Sequence, residues 1–169
     1  VSDGFVKRFG AFSNLVVKYN VFDNVNIIKK SHTSIEAGKS NSFRIISVGR
    51  LSYEKGYDRL LEVTKKLKAD NFDIEVWIVG DGPERAQLEK YISHNQLEEN
   101  VTLWGFQDNP YKYMANADLF VCSSRAEGYS TVIAEALILQ IPVVTTNCSG
   151  AEELLDRGKY GIITQNTTE

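Results

Sequence analysis

Phe43-Arg44-Ile45-Ile46-Ser47-Val48-Gly49-Arg50 leads through Leu51-Ser52-Tyr53-Glu54-Lys55-Gly56 into a segment with Tyr57, Leu60, Leu61, Thr64 and Leu67 at helical spacing. That is a strand, a glycine-bounded turn and a helix. The run Ile45 to Val48 is apolar rather than alternating, as a strand covered on both faces should be. Lys65, Lys66 and Lys68 fall on the other side of the helix. The pattern then repeats. Val76-Trp77-Ile78-Val79 reads as the next strand, and a second helix is expected from Pro83, a favoured first helical position, through Ala86, Leu88, Tyr91 and Ile92. Strands are expected near 43–49, 74–79, 101–104, 119–122, 142–145 and 161–163. Such alternation predicts an α/β fold with an open parallel sheet of about six strands flanked by helices.

The 169 residues, 43% of them hydrophobic, suffice for one domain with an appendage. The net charge of −3 is uneven: residues 1–44 hold 7 basic and 3 acidic side chains, and the remainder 12 and 19. Neither half reads as a nucleic-acid binder. Cys122 and Cys148 are too few for a disulfide framework, which favours a reducing, cytoplasmic setting. His32 and His94 lack metal-ligand spacing, so no metal is expected. The sequence contains neither a membrane-spanning apolar run nor a secretory signal. The sequons at Asn147 and Asn166 read as chance, and there is no internal repeat.

Residues 1–42 follow another pattern. A strand-like piece, Leu15-Val16-Val17-Lys18-Tyr19, precedes Asn20-Val21-Phe22-Asp23, and the polar stretch from Ser31 to Ser42 reads as a loop. The expected division is an appendage and linker over 1–42 and a sheet domain over 43–169. Val1 to Phe12 has apolar residues without an evident partner, and the chain stops right after a strand, so both ends read as cut.

In an open parallel sheet, ligands bind at the carboxyl ends of the strands, where helix N-termini attract anions. Gly49-Arg50 and Lys55-Gly56 put two cations there, at the end of a helix where positive charge is disfavoured. An anionic ligand would account for them; so would pairing of Arg50 with Glu54 and solvation of Lys55. Gly80-Asp81-Gly82-Pro83 reads as a turn whose glycines clear side chains from the mouth of the sheet. After the fourth strand, Glu127-Gly128-Tyr129-Ser130-Thr131 opens an apolar helix. Ser130 is an N-cap candidate, Gly128 can take a positive φ, and the N–H groups near Thr131 would face an anion. Glu135, the only charge on that helix, lies about 6 Å further along its axis. It needs a cation, a set of donors or ligand hydroxyls; a buried salt bridge is one reading. For Glu127, a loop acid favoured by the helix dipole is the alternative to a ligand contact.

Taken together in this order and spacing, Gly49-Arg50, Lys55-Gly56, Gly80-Asp81-Gly82-Pro83 and Glu127-Gly128-Tyr129-Ser130 with Glu135 resemble the donor half of the retaining GT-B glycosyltransferases of family 4. The resemblance covers about residues 15–165 and includes Tyr19-Asn20-Val21-Phe22-Asp23, similar to the turn that leads into that domain. It implies a Rossmann-like sheet, one half of a two-domain fold, binding a nucleotide diphosphate sugar without a metal or other cofactor. It implies further that Arg50 and Lys55 hold the diphosphate, that backbone N–H groups of Tyr129, Ser130 and Thr131 share that work, and that Gly49, Gly82 and Gly128 admit the ligand. Glu135 would bind the ribose, Glu127 the sugar hydroxyls, and the backbone at Phe106 the base. Arg50, Lys55 and Glu127 would carry the catalytic load.

The family's amino-terminal acceptor domain, which supplies a histidine near the reacting sugar, has no counterpart here beyond a last helix at 1–14. The chain is therefore expected to bind donor and to be inactive in transfer alone. The implied partners are the donor and the missing acceptor domain, with an acceptor that is a glycan, lipid-linked or other, and with cytoplasmic action that can extend to the inner face of a membrane. A nucleotide-sugar epimerase and a non-catalytic nucleotide-sugar-binding module are the other readings. A Rossmann dehydrogenase is disfavoured, because no Gly-x-Gly-x-x-Gly follows the first strand.

Overall fold

The computed structural model describes residues 2–10, 18, 20–35 and 41–167. Apart from Lys18, the expected strand-like piece Leu15 to Tyr19 lies outside the described residues. Six strands, β1 (Phe43–Val48), β2 (Ile74–Val79), β3 (Val101–Gly105), β4 (Leu119–Cys122), β5 (Val143–Thr146) and β6 (Ile162–Thr164), form one sheet in the order β3-β2-β1-β4-β5-β6. Every neighbouring pair is parallel. Helices α1 (Ser2–Phe9) and α2 (Asn24–Ser31) precede the sheet. Within it come α3 (Tyr57–Ala69), α4 (Arg85–His94), α5 (Tyr111–Met114), α6 (Thr131–Ile138) and α7 (Ala151–Leu154).

The apolar runs are explained by a sheet buried on both sides. Ile45, Val76 and Ile78 pack with Leu60, Leu61 and Leu88 of α3 and α4. Their neighbours Ile46, Trp77 and Val79 point the other way, onto Met114, Ile133 and Ala136 of α5 and α6. Each such side chain, fully buried, contributes roughly 1.5–3 kcal/mol. Because β1 lies between β2 and β4, the chain leaving β1 turns to α3 on one face and the chain leaving β4 turns to α6 on the other. The crevice between those two exits is the switch point at which open α/β sheets bind ligands.

Several expectations change in detail. The second helix begins at Arg85 rather than at Pro83, which sits in the turn before it. Ser31 ends α2, a helix not foreseen, whose Asp23 carboxylate accepts from the Asn26 N–H at 3.0 Å and whose Ile27 is buried against α5 and α6. The glycines after β2 allow a close approach of two backbones. A Cβ on Gly80 would lie 1.9 Å from the Gly49 carbonyl oxygen, and one on Gly82 2.4 Å from that of Leu51. The two loops touch main chain to main chain, with Leu51 N–H donating to Asp81 O at 3.0 Å and Glu84 N–H to Leu51 O at 3.0 Å.

Candidate functional site

The loop after β1 ends in a tight 3-10 turn, Tyr53–Lys55, closed by Gly56 in the left-handed region (φ 63°). Gly56 has a second reason to lack a side chain: its Cβ would stand 2.3 Å from the Ser123 carbonyl oxygen. The loop after β4 is fastened to it there. Arg125 N–H donates to Glu54 O at 2.7 Å, and the Ser123 hydroxyl donates to Lys55 O at 3.1 Å. The Arg125 guanidinium forms a bidentate pair with Asp58 and holds that carboxyl below the usual range.

This fastening brings Lys55 and Glu127 together across 72 positions of sequence. Lys55 Nζ lies 2.6 Å from Glu127 Oε1, and the Ser124 hydroxyl donates to the same oxygen at 2.6 Å. The side chains are 25% and 11% exposed, so the pair sits at the inner edge of the crevice. Lys55 is thus not solvated, and Glu127 is held by a lysine and a serine rather than by a helix dipole alone. Arg50 differs: it is exposed and forms no ion pair among the described residues. The carboxyl of Glu54 is lowered by hydrogen bonds from backbone and Ser52 and to a lesser degree by Arg50, so the two are neighbours without being bonded.

Beyond Glu127 the chain enters α6. Ser130 occupies the N-cap with extended φ/ψ (−79°, 99°) yet makes no capping bond; it is 4% exposed and its hydroxyl has no hydrogen-bond partner. The first turn of α6 contains no acid either, so neither Ser130 nor a residue of that turn offsets its free N–H groups and dipole. Gly128 is not among the residues of positive φ, contrary to expectation; its value is space, since a Cβ there would meet nothing within 4 Å. Gly150, at the start of α7, comes closest from behind, its own Cβ position 3.4 Å from Gly128 O.

One turn into α6, Glu135 is half-buried and faces no cation. Its Oε1 accepts from the Tyr111 hydroxyl at 2.9 Å, so the alternative of a buried salt bridge is not what the structure holds. Burial raises the carboxyl above its ordinary pKa and the Tyr111 bond offsets part of that; burial and the neighbouring carboxylate push Tyr111 up to about 12. Glu135, Tyr111 and Thr131 share a cleft of about 420 Å³ with Asp23 and Asn26 of the segment before β1. Phe106, just past β3, is 72% exposed, so a ligand there would meet its backbone or an uncommitted ring. Gly49 donates its N–H to Val79 O at 3.0 Å and lies beneath Lys55.

Around the start of α6, Lys55 and Glu127 line one small cavity and Thr131 and Glu135 the larger cleft, so the two carboxylates stand in unlike settings. Gly82 lies against the Leu51 backbone in the adjoining loop. Ser124, Tyr111, Arg125 and Asp58 complete the site and were not foreseen. Among the described residues no cluster of three or more His, Cys, Asp or Glu is placed to hold a metal, and no helix is long and apolar enough to cross a membrane.

Comparison with known proteins sharpens the picture. Residues 28–169 match the family described as Glycosyl transferases group 1. A Campylobacter jejuni relative, N-acetylgalactosamine-N,N'-diacetylbacillosaminyl-diphospho-undecaprenol 4-alpha-N-acetylgalactosaminyltransferase, is 36% identical over 90% of this chain and 40% of its own length. An uncharacterized glycosyltransferase of Methanocaldococcus jannaschii is 34% identical over 91% of this chain and 43% of its own. The chain thus spans about two fifths of these relatives. Among solved structures, Anabaena HepE in complex with UDP and glucose superposes with a TM-score of 0.81 at 28% identity, covering 96% of this chain and 46% of that one.

Proposed function

The chain belongs to the Glycosyl transferases group 1 family, and from that premise we propose that it is the donor-binding half of a retaining GT-B glycosyltransferase of family 4. Its ligand is a nucleotide diphosphate sugar. The observation that carries this reading is the Lys55–Glu127–Ser124 cluster beside the uncapped start of α6, with Glu135 one turn further along the same helix.

In this reading the diphosphate lies against the α6 N-terminus, where the N–H groups around Tyr129, Ser130 and Thr131 receive it and the space at Gly128 admits it. Lys55 and Arg50 supply the remaining positive charge. The ribose hydroxyls donate to Glu135, whose carboxylate is in no ion pair among the described residues and accepts from the Tyr111 hydroxyl. The sugar hydroxyls donate to Glu127, and the base meets the backbone at Phe106. Transfer then breaks the bond between the anomeric carbon and the leaving phosphate oxygen while the acceptor hydroxyl oxygen bonds to the same face of that carbon and its proton passes to the departing diphosphate. Negative charge grows on the departing diphosphate, and a fixed ammonium and a helix N-terminus in a partly desolvated crevice stabilise it without reorganisation. This arrangement calls for no metal. The acceptor site and the full activity belong to a protein of the relatives' length, the chain alone being a donor binder. The acceptor is a glycan or a lipid-linked saccharide, reached in the cytoplasm or at the inner membrane face.

The test is a transfer assay of the full-length protein with UDP-, GDP- and ADP-sugars, the anomeric configuration of the product being read by NMR. Transfer with retention is expected. Inversion, epimerisation of the donor, or binding without turnover would overturn the proposal.

A further inference from the structure

Lys55 and Glu127 come from loops that leave the sheet toward opposite faces, so their 2.6 Å contact needs something to hold the two exits at a fixed spacing. Arg125 does this from two residues before Glu127. Its Nη1 and Nη2 donate to the two oxygens of Asp58 at 2.7 and 2.6 Å, Nη1 also donates to Tyr53 O at 3.0 Å, and the guanidinium lies 4.1 Å over the Tyr53 ring. Its backbone N–H takes Glu54 O, and its carbonyl accepts from Asn166 Nδ2 at 2.8 Å. Asn166 Oδ1 in turn accepts from Arg59 Nη1 at 2.7 Å. One residue of the β4 loop is thus bonded to positions 53, 54 and 58, on both sides of Lys55.

The geometry selects arginine. A planar fork can meet a carboxylate with two parallel bonds, reach a carbonyl and lie on an aromatic ring at once; an ammonium on a flexible stem cannot. The side chain is 15% exposed and touches neither the Lys55 amine nor the Glu127 carboxylate. It therefore acts on the crevice through the spacing of the loops. We infer that Arg125, paired with Asp58, is a positioning residue that sets the Lys55–Glu127 spacing and so pre-organises the site for a diphosphate. This rests on the donor-site reading above. Pre-organised charge is what gives such a site its affinity, and a displacement of about 1 Å is enough to lose much of it.

The test uses this chain with Arg125→Lys, Arg125→Ala and Asp58→Asn, and Ile92→Val as a packing control remote from the crevice. Affinity for UDP, GDP and ADP is measured by calorimetry well below each melting temperature, and the Lys55 ammonium signal is followed by NMR. Arg125→Ala should weaken binding of the preferred nucleoside diphosphate at least tenfold, Arg125→Lys nearly as much and Asp58→Asn about threefold, while Ile92→Val lowers the melting temperature alone. The Lys55 ammonium signal, expected to be protected in the wild type by the 2.6 Å contact with Glu127, should vanish in both Arg125 variants. Wild-type affinity in a merely less stable Arg125→Ala chain would overturn the inference. If the wild type binds none of the three nucleotides, the donor reading fails, and the Lys55 signal decides the positioning claim by itself: its loss in Arg125→Ala supports the clamp, its persistence refutes it.

Discussion

Glu127 and Glu135 flank one helix entrance, eight positions apart, yet the protein treats them in opposite ways. Glu127 has a cation: its Oε1 meets an ammonium and a hydroxyl, each at 2.6 Å. Glu135 has a single phenol at 2.9 Å and a carboxyl raised by burial. A compensated carboxylate is a fixed part of the frame and keeps its lysine in place. A carboxylate left short of donors is held at a cost to the empty protein, which hydroxyls of a ligand can offset. The contrast sets Glu127 as one end of a charge pair and, on the proposed reading, Glu135 as an acceptor for ligand hydroxyls.

The largest effect should come from breaking the rigid end. Lys55→Ala in the full-length protein is expected to lower kcat about 100-fold or more, the scale seen when one pre-organised donor to a developing charge is lost. In this chain it should also cost roughly 1–3 kcal/mol in urea unfolding, between the values for exposed and buried pairs, because Glu127 is left without its cation. Undiminished turnover would dissolve the contrast at once.

The loose end should respond with the opposite sign in stability. Glu135→Gln is expected to weaken nucleoside diphosphate binding roughly tenfold, the loss of about one charge-assisted hydrogen bond, and to make the empty chain no less stable at pH 8. The folded chain binds the Glu135 proton more tightly than the unfolded chain does. Its contribution to stability is therefore full below the unfolded carboxylate pKa and is lost as pH rises through the raised folded value. Replacement by Gln removes that slope, so the variant should gain on the wild type as pH rises across this window. Destabilisation by Glu135→Gln at pH 8 would mean that the carboxylate is compensated after all.

The smallest change lies at the far end of the same helix. Gln140 closes α6 in the left-handed region (φ 58°), with Ile141 N–H donating to Ala136 O at 3.0 Å. Gln140→Gly should stabilise by roughly 0.5–1 kcal/mol through relief of that backbone conformation and leave nucleotide affinity untouched. A change in affinity would show that the site senses the whole helix rather than its first two turns.

How far the sequence discloses such a contrast depends on where the partners lie. The strands were legible because Ile45–Val48 and Val76–Val79 are apolar on both faces. Glu135 was legible as the lone charge on an apolar helix, but its partner was not, since Tyr111 sits 24 positions earlier on α5 with nothing local to link them. The Lys55–Glu127 contact is likewise a product of strand order, which places β4 beside β1. At Gly80 and Gly82 the sequence shows that something approaches closely without showing what, and the fold brings another backbone there. For α2 a signal existed: Asp23 three residues before Asn26 is an N-cap pattern, obscured by the polar sequence that surrounds the short apolar stripe.

On the proposed reading the crevice between the β1 and β4 exits binds a nucleoside diphosphate, held at one end by Lys55 and at the other by Glu135. Calorimetric titration of this chain with UDP, GDP and ADP tests it most directly, with Lys55→Ala and Glu135→Gln titrated in parallel. The account predicts that at least one of the three binds and raises the melting temperature by mass action, and that each substitution weakens it about tenfold or more. No binding by any of them, or binding that neither substitution alters, would contradict it.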